Sequence, residues 1–278
     1  MRIAQLQTSV TTDKKENIRN LSELMDGLGD DIDLVTAGEM FTCPYNTVNF
    51  PVHAEPEGGE SWKALQALAA KHHVILSAGT IPEVDEAGRV YNTAYVFGPD
   101  GSQLAKFRKM HLFDVDIEDG QVFHESETLT AGNEVVTFDT EFGTMGICIC
   151  FDSRFPELFR LMALKGAKVI LVPAAFNMST GPAHWAILHR SNALSAQCFV
   201  VATSGARDPD YSYVAWGHSL IASPWGDLVA EMDEKPGIQI TDINLSEVES
   251  VRKQLPVLSA RRTDVYQLTE CNQMDTTA

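Results

Sequence analysis

The number of predicted β-strands constrains the fold of this chain more than any other feature. Ten segments have the composition of strands, and helical patterns or tight turns separate them. The predicted strands are 2–7, 33–36, 74–81, 93–97, 135–138, 143–149, 168–173, 199–203, 218–222 and 238–243. The run Val169-Ile-Leu-Val172 is apolar throughout, which is typical of a strand buried on both faces. Because most single sheets hold fewer strands, the sequence predicts a mixed α/β fold in which two sheets pack face to face with helices outside.

Amphipathic segments predict helices between these strands. One begins near Asp13, where Glu16 three residues later suggests a capping box, and two others span about 61–73 and 183–196. Pro99-Asp100-Gly101 and Pro224-Trp225-Gly226 predict hairpin turns. Antiparallel pairs are therefore expected among the βα units.

The chain has no obvious domain boundary. Its 278 residues contain no proline-, serine- or glycine-rich linker, which favours one domain over residues 1–270, followed by a tail, 271–278. Residues 272–278 are polar without periodicity and predict disorder. No stretch approaches the roughly 20 apolar residues of a membrane span, and a strand begins at Arg2, so we expect neither a span nor a cleaved signal.

Charge and cysteine content limit the partners and the kinds of site that the chain suits. The 21 basic and 38 acidic side chains give a formal net charge of −17, which disfavours nucleic acid and anionic membranes as partners. Five cysteines fit no disulfide framework, and Cys148 and Cys150 lack the second ligand pair of a zinc site. We therefore expect a cytoplasmic protein that binds a small molecule and no metal.

A cysteine stands where a predicted strand turns into a helix. The strand 143–149 ends just before Cys150, and Pro156 suits the first turn of a helix. Backbone N–H groups and the helix dipole at such an elbow favour a thiolate, as a sulfur nucleophile requires. The alternative is that Cys150 is a small buried apolar residue. Cys148 falls inside the predicted strand and is interpreted as core.

A nucleophilic thiol needs a proton acceptor and a group that stabilises the oxyanion. None of the histidines has a context that singles it out as the base; those considered are His72, His73, His111, His184 and His189.

Two charged residues are better candidates. Glu39 follows a predicted strand beside apolar residues, which would raise its pKa toward that of a useful base. Lys109 follows the strand 103–107 and can supply positive charge to an oxyanion. Either residue alone would be interpreted as a solvated surface charge. Their occurrence together with Cys150 indicates a catalytic site.

The contexts of these three residues resemble the Glu-Lys-Cys triad of the nitrilase superfamily of carbon–nitrogen hydrolases. Glu39 stands in Glu-Met-Phe-Thr-Cys-Pro-Tyr, Lys109 in Phe-Arg-Lys-Met-His-Leu-Phe-Asp, and Cys150 in Ile-Cys-Phe-Asp-Ser-Arg-Phe-Pro-Glu. Val122-Phe-His-Glu-Ser-Glu-Thr-Leu resembles the loop of the family's second glutamate, here Glu125, which orients the substrate and supports the lysine. The resemblance implies a four-layer αββα fold, a homodimer and chemistry without a cofactor.

Three further segments resemble the omega-amidase branch of that superfamily. They are Ala175-Phe-Asn-Met-Ser-Thr-Gly-Pro-Ala-His-Trp, Tyr213-Val-Ala-Trp-Gly-His-Ser and Gln254-Leu-Pro-Val. The resemblance implies hydrolysis of the terminal amide of dicarboxylate monoamides such as alpha-ketoglutaramate and alpha-ketosuccinamate. It also implies that Arg154 and Thr180 hold the distal carboxylate and that Phe176 and Tyr45 shape the pocket. The N–H of Phe151 is expected to help stabilise the oxyanion.

The chain departs from the family pattern at a few positions. Gly38 replaces a frequent proline before the glutamate and is expected to relax the backbone that aims Glu39. Ala186 and Asn192 replace a glutamate and an arginine of close relatives, which suggests the loss of an ion pair on a helix face.

Other interpretations remain open at the level of sequence. Arg154 is equally well interpreted as a structural ion-pair partner of Asp152 or Glu157. The sister branch of deaminated-glutathione amidases shares the triad, and a nitrile substrate is conceivable. In a different class, Cys148 and Cys150 would form a reversible disulfide in a redox or scaffold protein.

Overall fold

Most strands belong to two large sheets in the computed structural model, which describes residues 1–118 and 120–271. The strands are β1 (Arg2–Gln7), β2 (Leu34–Ala37), β3 (Ile75–Ala78), β4 (Ile81–Val84), β5 (Val90–Phe97), β6 (Gln103–Arg108), β7 (Asp114–Asp116), β8 (Val122–His124), β9 (Val136–Thr140), β10 (Gly143–Ile147), β11 (Val169–Ala174), β12 (Phe199–Ser204), β13 (Leu220–Ala222), β14 (Leu228–Glu231) and β15 (Gly237–Asp242). The first sheet has the order β15-β1-β2-β3-β5-β4, with β6 paired to β5, and the second has the order β14-β13-β12-β11-β10-β9. Strands β7 and β8 form a separate pair.

Helices cover the outer faces of both sheets. They are α1 (Lys14–Asp26), α2 (Asn49–His53), α3 (Glu60–His72), α4 (Pro156–Leu164), α5 (Gly181–Ala196) and α6 (Ser246–Gln254), with short 3₁₀ helices at Glu125–Glu127 and Cys150–Arg154. One apolar cluster joins Leu21 of α1 and Leu65 of α3 to the first sheet. A larger cluster fills the space between the sheets and continues to Phe159 of α4 and Trp185 of α5. The four-layer αββα architecture is therefore confirmed.

Buried polar side chains join the two sheets at the middle of the sandwich. Gln5 of β1 donates from Nε2 to the carbonyl of Ala202 and to Thr203 Oγ1 of β12, both at 3.0 Å. Thr36 of β2 and Thr203 share a hydrogen bond of 2.7 Å between their hydroxyl oxygens. Because buried polar atoms are costly unless paired, these bonds fix the register of one sheet against the other.

The predicted elements agree with the structure in type, with shifted ends. Pro156 is the first residue of α4, and both predicted hairpins are antiparallel pairs, β5 with β6 and β13 with β14. The predicted strand 74–81 is wrong as one piece, because Gly79 with φ of +67° separates β3 from β4. Asp13 caps α1, but the reciprocal bond of a capping box is absent among the described contacts; the Thr11 hydroxyl accepts from the Asp13 N–H instead. The tail predicted as disordered, 272–278, lies outside the described residues.

Within the part of the chain that is described, no helix has both the length and the apolar composition needed to cross a bilayer.

Neighbouring backbones approach closely at Gly38, next to Glu39, and leave no space for a side chain there. A Cβ on Gly38 would lie 2.4 Å from the amide nitrogen of Gly205, which follows β12. A Cβ on Gly79 would lie 1.8 Å from the Gly38 carbonyl oxygen. The expectation that Gly38 relaxes the backbone is therefore wrong, because the chain there is held between two neighbouring backbones and has no room for a side chain.

We predict that Gly38→Ala destabilises the protein by about 1–3 kcal/mol, because the added methyl group overlaps rigid backbone atoms. Denaturant unfolding measures this free energy. Gly27→Ala is the matched control, since a Cβ at Gly27 meets nothing closer than 3.5 Å. Equal unfolding free energies for Gly38→Ala and the wild type would contradict the close approach.

Candidate active site

The structure brings together four side chains that are distant in sequence. Glu39 follows β2, Lys109 follows β6, Glu125 begins one 3₁₀ helix, and Cys150 begins the other. All four are buried, and Lys109 and Glu125 have no exposed surface. The ends of both sheets therefore contribute to one site.

Lys109 lies between two carboxylates. Its Nζ donates to Glu39 Oε1 at 2.8 Å and to Glu125 Oε1 at 2.9 Å. The hydroxyl of Tyr45 donates to the carboxylates of both glutamates and is 3.3 Å from Lys109 Nζ. Glu125 Oε2 accepts from the N–H of Phe113 at 2.7 Å. Tyr45 thus belongs to the charged cluster itself, in addition to contacting the pocket as predicted.

Glu39 is held by both its backbone and its side chain. Its N–H donates to the carbonyl of Ala174 at the end of β11, 3.3 Å away. The next residue, Met40, has φ of +53°, and its N–H donates to Thr80 Oγ1 at 2.8 Å. Asn92 Nδ2 donates to Glu39 Oε1 at 2.7 Å. Glu39 Oε2 is a buried oxygen without a hydrogen-bond partner in the described chain. It is therefore available to the neighbouring Cys150 thiol.

The backbone at Cys150 is strained, and side-chain hydrogen bonds stabilise the turn. Cys150 has φ of +46°, a region that non-glycine residues rarely adopt. Asp152 Oδ2 accepts from the N–H of Ile149 at 3.0 Å, and Ser153 Oγ donates to the Cys150 carbonyl at 2.6 Å. Asn192 Nδ2 of α5 donates to the Ser153 carbonyl at 2.6 Å. These bonds hold the sulfur at the end of the second sheet.

Burial dominates the electrostatics of the site. It raises the pKa of Glu39, as the charge of Glu125 does, while Lys109 opposes both. Burial alone would lower the pKa of Lys109, but Glu125 and Glu39 raise it above its ordinary value, so the ammonium stays charged. Burial and the Glu39 carboxylate raise the pKa of the Cys150 thiol well above its usual range, against the opposing effect of Lys109. The expectation that the elbow favours a thiolate is therefore wrong, and the thiol needs a base.

Arg154 faces the site without a carboxylate partner. Within residues 1–118 and 120–271, neither Asp152 nor Glu157 forms an ion pair with it, so the alternative of a structural ion pair is wrong. Its guanidinium carbon lies 5.6 Å from the ring centre of Phe151 and 5.0 Å from that of Phe176. Burial lowers the pKa of Arg154, which still leaves a guanidinium charged at neutral pH.

Thr180, predicted to hold the distal carboxylate, is bonded to a neighbouring residue. It precedes α5, and its hydroxyl donates to Asn177 Oδ1 at 3.0 Å; no hydrogen bond to Arg154 is present among the described residues. A cavity of about 50 Å³ opens beside Glu39 and is also lined by Tyr45, Ala175 and Tyr213. Of the predicted pocket residues, Tyr45 lines this cavity, whereas Arg154, Thr180 and Phe176 do not.

Several interpretations of individual residues change in the structure. Cys148 is fully buried, but β10 ends at Ile147, so Cys148 follows the strand and does not lie inside it. Asn192 is 2% exposed, so it does not lie on an open helix face; Ala186, which is half-buried, packs against the large apolar cluster. Asn192 is therefore a buried position whose amide donates to the Ser153 carbonyl, and the loss of an ion pair relative to close relatives stays a prediction.

Comparisons with known proteins agree with this geometry. The carbon–nitrogen hydrolase family profile matches residues 2–253. This chain belongs to that family. The human omega-amidase NIT2 is 42% identical over 266 residues, which are 95% of this chain and 96% of that protein.

Solved structures of relatives share the fold. Nit3 of Saccharomyces cerevisiae, a member of branch 10 of the nitrilase superfamily, has a TM-score of 0.87 at 37% identity and covers 94% of this chain and 96% of its own. The Caenorhabditis elegans NitFhit protein has a TM-score of 0.87 at 32% identity, over 96% of this chain and 66% of its own.

Some residues of this carbon–nitrogen hydrolase that position the site residues by hydrogen bonds were not predicted from the sequence. Asn92 and Thr80 hold Glu39 and Met40, and Asp152 and Asn192 hold the turn at Cys150. The one signal in the sequence was the amide side chain of Asn92, which lies within the largely apolar strand β5. His111 was considered as a base, but its Nδ1 lies 2.7 Å from Asp152 Oδ1 and its ring stacks on Phe155.

No three His, Cys, Asp or Glu side chains of the described residues are grouped to hold a metal ion.

We predict that Glu39→Gln lowers the apparent pKa of the Cys150 thiol by about 1 or more, since removing a neighbouring negative charge favours the thiolate. Lys109 would then act on the sulfur without the opposing charge of Glu39. The ultraviolet absorbance of the thiolate against pH measures this, with Cys150→Ala variants subtracted in each background. An unchanged or higher pKa would contradict the described electrostatics.

Proposed function

We propose that this carbon–nitrogen hydrolase is an omega-amidase, which hydrolyses the terminal amide of a small dicarboxylate monoamide such as alpha-ketoglutaramate or alpha-ketosuccinamate to the acid and ammonia. The observation that carries the proposal is the arrangement of Cys150 beside a buried carboxylate and a buried ammonium, with Arg154, which has no carboxylate partner among the described residues, four positions further along the chain. The omega-amidase relatives, at 41–42% identity over nearly the whole chain, support the substrate class.

The proposed first half-reaction forms a thioester. Glu39 accepts the proton of the Cys150 thiol while the sulfur attacks the amide carbon. Lys109 and the N–H of Phe151, which follows the nucleophile in the first turn of a 3₁₀ helix, donate to the oxyanion. The proton on Glu39 passes to the nitrogen as the C–N bond breaks, and ammonia leaves. The weak 3.3 Å contact between Lys109 and Tyr45 is the one that the oxyanion would replace.

The second half-reaction returns the enzyme to its starting state. Glu39 removes a proton from water as the oxygen attacks the thioester carbon, and the proton then returns to the departing sulfur. Glu125 holds Lys109 and Tyr45 in place throughout. The raised pKa of Glu39 favours this cycle, because a carboxylate must accept and release a proton in each half-reaction.

Arg154 provides the proposed specificity for a carboxylate. A planar guanidinium can bind a carboxylate through two parallel hydrogen bonds, and that of Arg154 lies within cation–π distance of the rings of Phe151 and Phe176. Thr180 is proposed as a second donor to that carboxylate, in a conformation other than the one bonded to Asn177. A substrate anchored at one end places its amide at Cys150.

The relatives named omega-amidase favour this function over that of a deaminated-glutathione amidase. Comparing the turnover of alpha-ketoglutaramate with that of deaminated glutathione separates the two.

We further propose a single domain over residues 1–270 that forms a homodimer in the cytoplasm. Exposed apolar side chains on α4 and α5, including Leu164, Ile187 and Leu194, support an interface formed by helices. Four buried free thiols, those of Cys43, Cys148, Cys150 and Cys198, support a reducing compartment.

We predict that Cys150→Ala lowers ammonia release from alpha-ketoglutaramate by at least about a thousandfold without unfolding the protein. Cys148→Ala is the matched control and should keep most of the activity, because it removes a sulfur outside the proposed mechanism. Full activity in Cys150→Ala would exclude this nucleophile.

We predict that Arg154→Lys raises KM for dicarboxylate monoamides about tenfold and leaves KM for neutral amides nearly unchanged, since a lysine cannot form the paired hydrogen bonds. Steady-state kinetics with succinamate and butyramide, which share a four-carbon chain, measure the difference. The same change in KM for both substrates would remove Arg154 from carboxylate recognition.

A further inference from the structure

A histidine is the hydrogen-bonding partner of Arg154. Within residues 1–118 and 120–271, the Arg154 guanidinium has one side-chain partner, His184 Nδ1, 3.1 Å from Nη1. His184 lies in the first turn of α5, and its N–H donates to the Thr180 carbonyl at 2.8 Å. Arg154 ends the 3₁₀ helix that begins with Cys150. The contact therefore joins the nucleophile's helix to the start of α5.

The chemistry of the two groups fixes the direction of this bond. A guanidinium has only donors, so His184 Nδ1 must accept, and the ring proton must lie on Nε2. In this state His184 is neutral. It adds no charge that would compete with Arg154 for an anionic ligand.

The bond also determines which edge of the guanidinium remains free. With Nη1 bonded to His184, the edge formed by Nε and Nη2 is left, and Nε is a buried atom without a hydrogen-bond partner in the described chain. This edge presents two parallel N–H groups with the spacing of a carboxylate. The guanidinium carbon lies 5.6 Å and 5.0 Å from the ring centres of Phe151 and Phe176, but cation–π contacts do not select one edge of the guanidinium. A directional bond at Nη1 does.

We propose that His184 is a positioning residue that directs the Nε–Nη2 edge of Arg154 toward the substrate's distal carboxylate. The inference rests on the proposed amidase function and deepens it, because it assigns selectivity to a residue that acts through Arg154. His184 does not contact the reacting atoms in this role. Its removal therefore changes substrate binding and spares the chemical step.

The test compares His184→Leu with His184→Asn. Leucine removes the acceptor, whereas the asparagine Oδ1 takes the place of Nδ1. We expect His184→Leu to raise KM for succinamate roughly threefold to tenfold, with kcat and the kinetics of butyramide nearly unchanged. His184→Asn should restore most of the affinity for succinamate. His73→Asn is the matched control, since His73 is an exposed histidine at the end of α3 whose φ of +53° suits asparagine.

The outcomes separate this inference from the function on which it rests. If Arg154→Lys discriminates between the two substrates and His184→Leu does not, the positioning role is wrong and the amidase proposal stands. Equal losses for both substrates in His184→Leu, or no rescue by asparagine, also overturn the positioning role. If the wild type itself shows no preference for succinamate over butyramide, the proposed function fails and this inference fails with it.

Discussion

The buried ammonium of Lys109 is the interaction on which the site depends. Two carboxylates and one ammonium without exposed surface would be costly if any one were unpaired. Lys109 donates to both glutamates and each carboxylate accepts at least two further hydrogen bonds, so each charged group has polar partners within the cluster. Because the three groups come from separate segments, they meet only when both the first sheet and the loop at Glu125 have folded.

The two catalytic turns are held in a similar way. Met40, next to the proposed base, and Cys150, the proposed nucleophile, both have positive φ angles in the absence of glycine. Such conformations persist only where surrounding contacts determine them. At Met40 the contact is Thr80, together with the close packing of Gly38 against Gly205; at Cys150 the contacts come from Asp152 and Ser153. Both turns are therefore set by the sandwich, and the relative position of Glu39 and Cys150 follows from how the sheets pack.

The sequence predicted what local patterns encode. Apolar runs indicated the strands, turn residues indicated the hairpins, and the contexts of Glu39, Lys109 and Cys150 indicated a site that the structure assembles. It did not predict the partners that come from distant segments. The helix pattern around Asn192 says nothing of the Ser153 carbonyl to which its amide donates. Gly38 was interpreted as flexible because the backbone of Gly205 lies 167 residues away in the chain.

Burial has opposite consequences for Glu39, the proposed base, and for Cys150, the proposed nucleophile. It raises the pKa of Glu39, which makes the carboxylate a better proton acceptor, and it raises the pKa of Cys150, which makes the thiol a poorer donor. A thiolate formed before the substrate binds would carry a third negative charge into a cluster with one ammonium. Transfer of the proton during attack avoids that state, because the developing charge moves onto the carbonyl oxygen near Lys109. The same dry environment that stabilises the paired ions therefore favours a nucleophile that is activated only when the amide is in place.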